Sequence, residues 1–375
     1  MIYQPLENHL ENLMKQKKIR SGSYCIAKDG EIVFCHVKGG MDLGDGTIKP
    51  VRTDTFFEIQ SITKWITAAA ILILMERGKL ALTDRAGRYI EDFNRSPFSE
   101  ITILQLLTHT SGLVGLWETF PDRNLHWEAH VDERDVAHSW IRAVLEMGLF
   151  YKPGTRWEYS MIGFCVLGEI IARITGMRAE DFIREEILLP CDMTETHWKR
   201  EITPEWAARY QVRTDKHRRQ YALANLGLDA WVDYCAIWPE IPETAGGLMS
   251  TLQDVIRFGM MLANDGQTNE RTILRESSIR LFEENQLLPG VRDFCWDHGG
   301  KNIAYGAGCA VCLSPFDSSP NIGEHTMYHE GAGACALMVN RGKRLAAVWD
   351  TPFWTEDVWY TEPFSQTAEI IWNIW

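Results

Sequence analysis

The chain lacks any apolar run long enough to span a bilayer. Its longest nearly unbroken one, Trp65 to Met75, is about half of the roughly 20 residues required and reads as a buried helix. The first twenty residues mix acidic, basic and polar groups around no apolar stretch, so no secretory leader is expected. Cationic excess is also missing: 38 Lys and Arg face 51 Asp and Glu, a formal net charge of −13. That balance excludes a surface built for phosphate backbones or anionic lipid, so neither nucleic acid nor membrane is an expected partner. There is no internal repeat, no low-complexity tract and no Pro/Ser-rich linker, which argues for one folded body. Neither G-x-S-x-G nor G-x-G-x-x-G occurs, removing the usual entry points to α/β-hydrolases and dinucleotide enzymes. The nine cysteines are an odd number and cannot all pair within the chain. A chain of 375 residues needs no disulfide framework, so reduced thiols and a cytoplasmic setting are expected.

What is present is 45% hydrophobic and 24% charged, the balance of a globular protein, with an excess of tryptophan at 15 residues. Leu6, Leu10, Leu13 and Met14 recur at helical spacing. Ser23–Lys28 and Glu31–Lys38 read as strands of a hairpin turning at Asp29-Gly30. The text is mostly helical from Ser61 to about Asp265. Ile162–Ile174 is closed by Gly176, and a helix from Leu252 to Asn264 has Ser250 or Thr251 as N-cap. Beyond residue 300 the pattern turns to β: Ala304–Leu313, Thr326–His329, Ala334–Asn340 and Arg344–Trp349, then a helix over Phe364–Trp372. The expectation is one α/β (α+β) domain over 1–375. An α/β lobe over about 1–60 and 265–375 would carry an inserted helical lobe over about 61–264.

Three stretches carry chemistry. Ser61-Ile62-Thr63-Lys64 opens the apolar helix, where free N–H groups and the dipole favour a developing alkoxide. Lys64 lies one turn on, on the same face, and a buried neutral amine there can take the serine proton. Tyr159 sits at the entrance of the 162–174 helix, where a phenol beside an ammonium could ionise low enough to shuttle protons. His329-Glu330-Gly331-Ala332 ends one strand, where small residues permit close approach and an edge N–H can receive an oxyanion.

In this order the stretches resemble the class C β-lactamase-like, penicillin-binding-protein-like serine hydrolases, a family with esterase, D-peptidase and acyltransferase branches. Leu106–Leu113, Pro153–Ser160, Ala245–Thr251 and Tyr305–Gly308 extend the resemblance over nearly the whole chain. It implies the β-lactamase/transpeptidase-like fold, an antiparallel sheet flanked by helices. It also implies Ser61 as nucleophile, Lys64 as base, Tyr159 as proton relay and His329 as the group supporting Tyr159 and the substrate. The N–H groups of Ser61 and Ala332 would form the oxyanion hole beside Gly331. Two residues depart from the pattern: Met161 stands where Asn is usual, and Glu330 where Thr or Ser is, an acid that would repel a carboxylate. Both point away from β-lactams and cell-wall peptides, toward a small ester or amide. Acyl transfer to an alcohol or amine, β-lactamase or D-peptidase activity, and ligand binding without catalysis are the alternatives.

His126 and His130 lie at helical spacing with His138 downstream but without a clear third ligand, and Cys309 and Cys312 fall on opposite faces of a strand. Neither is taken as a metal site, and no cofactor is expected. Trp117, Trp127 and Trp140 and the Trp349–Tyr360 loop would supply either an aromatic cleft or core and homodimer contacts.

Overall fold

The computed structural model describes residues 2–16, 18–42, 47–113, 127–201, 203, 206, 209, 238–295, 300–313, 322–331, 335–351 and 361–375. A seven-stranded antiparallel sheet brings the two ends of the chain together. Strands β1 (Ser21–Lys28), β2 (Glu31–Asp42) and β3 (Ile48–Pro50) come from the start. From the end come β9 (Ala310–Val311), β10 (Met327–Gly331), β11 (Cys335–Asn340) and β12 (Leu345–Asp350). The order β3-β2-β1-β12-β11-β10-β9 sets the first strand beside the last. The β1–β2 hairpin turns at Asp29 and Gly30, both with positive φ (53° and 84°), the conformation an Asp-Gly pair tolerates.

Both faces of this sheet are covered. Tyr24, Ile26, Ala336, Met338, Ala347 and Trp349 pack on one side with α1 (Gln4–Lys15) and α9 (Thr361–Ile374). The alternate residues Cys25, Ala27, Leu337, Val339, Ala346 and Val348 join the main core on the other side. There they meet α7 (Leu252–Ala263), whose Thr251 cap accepts the Asp254 N–H, as its sequence implies. That contact moves the expected lobe boundary. The 252–263 helix lies on the sheet and not in the helical lobe, because its apolar face is complementary to β1, β11 and β12. Of the strand expected over Ala304–Leu313, only Ala310–Val311 pairs with β10.

The helical lobe centres on α2 (Ile62–Glu76), every residue of which from Ile62 to Leu74 is buried. A helix apolar all round belongs at the centre of a domain, and α2 packs against α5 (Met161–Thr175), α6 (Ala179–Ile183) and the edge of β10. As expected, α5 stops at Gly176 in a left-handed cap, φ 73°. Two short strands, β4 (Phe57–Glu58) and β5 (His197–Trp198), flank a third, β6 (Leu248–Ser250), beneath the entrance to α2. No described helix is long and apolar enough to cross a membrane.

One expectation fails outright. Cys25 and Cys35 face each other in the β1–β2 register, Cα atoms 4.3 Å apart, and form a disulfide. Direct cross-strand pairing brings two thiols together whatever the cysteine total. Cys165, Cys191, Cys295, Cys309, Cys312 and Cys335 are free and buried, while Cys235 lies outside the described residues. Cys309 and Cys312 enter different cores.

Candidate active site

Ser61 is presented by a turn that the strand edge presses into place. Gln60 takes a left-handed conformation, φ 49°, immediately before it. A Cβ on Gly331 would lie 2.7 Å from the Ile59 carbonyl oxygen and 3.1 Å from the Gln60 side chain, so glycine is what lets β10 approach this turn. The small residue expected to admit substrate thus admits the chain's own backbone. Ser61 stands at the N-terminus of α2, but its hydroxyl does not cap the helix. It remains available to Lys64.

The first turns of α2 are stapled to residues 244–248. Thr67 Oγ1 donates to the Thr244 carbonyl at 2.8 Å, Lys64 Nζ donates to the Ala245 carbonyl at 2.6 Å, and the Leu248 N–H donates to Thr63 Oγ1 at 3.3 Å. Lys64 is fully buried, with the Tyr159 and Phe164 rings 4.8 and 5.8 Å from its nitrogen. Burial lowers its pKa to about 7. No described carboxylate forms an ion pair with it.

The contacts of Nζ decide where a lone pair would point. Ala245 O and Met161 Sδ, at 2.6 and 3.0 Å, can only accept, and they take the two N–H bonds of a neutral amine. The third contact, Ser61 Oγ at 3.0 Å, is a hydroxyl able to donate. A neutral Lys64 therefore turns its lone pair on the Ser61 proton. Met161, at the position of the usual Asn, is what makes the third contact decisive, because a thioether carries no proton.

Tyr159 is hydrogen-bonded to Ser61 as well. Burial pushes its phenol above the ordinary range, the reverse of the easily ionised phenol expected from the sequence. Desolvation outweighs the hydrogen bond with Ser61, which acts in the opposite direction. Around Tyr159 stand His109, ring centres 4.4 Å apart, with Trp157 and Tyr305 behind.

His329 is buried on β10, and its Nδ1–H donates to the Glu330 carbonyl at 2.8 Å. Burial, reinforced by Lys64, lowers its pKa to about 3. It is a neutral imidazole, and it offers no positive charge to a substrate carboxylate. The partly buried Glu330 side chain alternates with it along the strand, and desolvation raises its carboxyl to about 8. At neutral pH it is largely protonated, so the repulsion expected of it is weaker than a full charge would give. Ala332 lies outside the described residues.

His109, Trp157, Ala245 and Tyr305 enter the sequence reading only as parts of motifs, with no role of their own. A histidine set among three hydroxyl residues before Gly112 was the available signal. Of the expected aromatic wall, Trp127 and Trp140 belong to the main core, and Trp117 and residues 352–360 lie outside the described residues. His130 pairs with Glu146 and His138 with Asp135 on exposed ground, and His126 is not among the described residues.

A helix-borne Ser-x-x-Lys, a tyrosine closing on it and a strand edge alongside define a class. The Beta-lactamase family model matches residues 6–351, and the chain belongs to that family. It is 28% identical to Penicillin-binding protein 4* of Bacillus subtilis (strain 168) over 82% of its own length; the match spans 64% of that protein. It is 34% identical to Esterase EstB of Burkholderia gladioli over 46% of this chain and 45% of the esterase. Among solved structures, EstCE1, described as a hydrolase with promiscuous acyltransferase activity, superposes with a TM-score of 0.79. It covers 99% of this chain and 98% of that one at 16% identity, a likeness of fold. The family and its esterase member support a hydrolase.

Proposed function

We propose that this chain is a serine hydrolase that cleaves a small ester or amide through an acyl-enzyme on Ser61. The carrying observation is the contact set of Lys64, two acceptors and one hydroxyl around an amine with a pKa of about 7. Ser61 Oγ bonds to the substrate carbonyl carbon as its proton passes to Lys64. The oxyanion is received by the Ser61 N–H at the start of α2, together with the N–H assigned by family resemblance to Ala332. The Tyr159 phenol, too weakly acidic to rest as phenolate, protonates the leaving group and regains its proton from the Lys64 ammonium. Water then attacks the acyl carbon, giving up its proton by the same route, and the acid departs from a reprotonated Ser61.

The strand edge supports this substrate class. With His329 neutral and Glu330 an acid, this edge carries no cation for a substrate carboxylate, which favours an uncharged ester over a β-lactam or a C-terminal peptide. Turnover of p-nitrophenyl acetate and an adduct between Ser61 and a fluorophosphonate are expected, and Ser61→Ala should abolish both. Wild-type rates in Ser61→Ala, or no adduct on Ser61, would sink the proposal. Adding an alcohol while following products separates hydrolysis from acyl transfer, the fate suggested by EstCE1.

A further inference from the structure

The peptide N–H groups on both sides of Tyr159 are held by one residue. The Glu158 N–H donates to the His109 carbonyl at 2.9 Å, and the Ser160 N–H donates to His109 Nδ1 at 3.1 Å. Tyr151 adds its hydroxyl to the same carbonyl at 3.3 Å. His109 can offer carbonyl and ring to neighbouring N–H groups because its backbone is left-handed, φ 55°, a conformation uncommon outside glycine, Asn, Asp and His. The ring then lies 4.4 Å from that of Tyr159 and 5.2 Å from that of Phe164. Since a peptide N–H can only donate, Nδ1 carries no proton, and the proton of the neutral ring sits on Nε2. His329 is the opposite tautomer, its Nδ1–H given to a carbonyl.

We propose that His109 is a positioning residue for the reaction: it clips the backbone on both sides of Tyr159 and so fixes where the phenol meets Ser61 and the leaving group. It touches neither substrate nor reacting atoms in this role. The proposal rests on the serine hydrolase reading for its catalytic consequence, and on the hydrogen bonds alone for the tautomer. A loosened Tyr159 should lower the rate of the chemical step more than substrate binding, because misplacement by about 1 Å can cost on the order of 10²-fold.

The test compares His109→Leu, His109→Gln and His109→Asn in the full chain, with p-nitrophenyl acetate as substrate. Asn places its amide oxygen near the Nδ1 position and tolerates the left-handed backbone, so it should retain kcat within about tenfold of wild type. Leu removes the acceptor, and Gln carries its amide to the Nε2 position; both should lose on the order of 10²-fold in kcat with KM little changed. His109→Leu combined with Tyr159→Phe should be no slower than Tyr159→Phe alone, since both act through one phenol. Multiplying effects, or Leu equal to Asn, would overturn the proposal. So would a Gln variant that rescues where Asn does not, which would give the role to Nε2–H. If the variants fail to fold, ¹⁵N NMR of the wild-type imidazoles decides: a proton on His109 Nδ1 overturns the clip, and a bare Nδ1 upholds it. Failure of the hydrolase reading is separately visible as absence of the Ser61 adduct.

Discussion

Two buried cations in the helical lobe meet opposite fates. Arg200 is mostly buried among carboxylates, with Glu180 at 3.0 Å and Glu243 at 3.3 Å, both almost wholly inaccessible. Lys64 is buried completely, beside carbonyl, thioether, hydroxyl and aromatic rings. Desolvation penalises both, but only Arg200 has countercharge to offset it. Lys64 escapes by giving up its proton, and its pKa falls to about 7. The same burial that makes one cation a strut favours the neutral amine in the other. The two are also joined: Arg200 holds Glu180 and Glu243, Glu180 accepts the Glu243 N–H at 3.0 Å, and this loop runs on to the Ala245 carbonyl that receives Lys64.

The sharpest break in this contrast is to delete the base. Lys64→Met should lower kcat/KM for p-nitrophenyl acetate by about 10³-fold or more, as removal of a member of a nucleophile–base pair does. It should at the same time stabilise the fold. The unfolded amine holds its proton up to about its ordinary 10.5, while the folded one releases it near 7. Between those pH values the unfolded state binds more protons, so wild-type stability rises with pH across the window. Below pH 7 the cost of burial is complete. The advantage of Lys64→Met in urea unfolding should therefore be largest below pH 7 and fade toward pH 10.5; a destabilised variant at pH 6 would contradict the assignment.

Deleting the strut should do the reverse. Arg200→Met removes the guanidinium from two buried carboxylates and should cost about 3–5 kcal/mol in denaturant unfolding. Activity of the fraction still folded should fall less than in Lys64→Met. If stability is unchanged, the network does not hold the loop.

Converting one kind of site into the other is a subtler test. Met161→Asp would set a carboxylate where Sδ now lies 3.0 Å from Nζ. The amine should then keep its proton, and the acid limb of the pH–rate profile should move alkaline by about one to three pH units. An unmoved limb would mean that Lys64 is not the group titrating. The smallest effect concerns the wild type itself. Its kcat/KM should fall with a single-proton slope below pH 7, because His329, with a pKa of about 3, titrates far below that limb. A His329→Gln profile should keep the same midpoint.

Much of the architecture was legible because it is made locally. Asp29-Gly30 turns the hairpin, Thr251 caps α7, Gly176 ends α5 and Leu6, Leu10 and Leu13 recur at helical spacing, all of them signals carried within a few positions. Ser61 and Lys64 were legible for the same reason, being one turn apart. The placement of α7 on the sheet and the Cys25–Cys35 bond were not, since each depends on which elements become neighbours.

By itself, then, the sequence determined the order of elements, the one-turn spacing of Ser61 and Lys64 and membership of the family, because periodicity, caps and motif spacing act over short stretches. Only the tertiary structure decided the protonation states. Lys64 meets Met161 across 97 positions and Ala245 across 181, and His109 meets Ser160 across 51. A pKa is set by what excludes water from a group and what faces it, and those neighbours are brought together by packing.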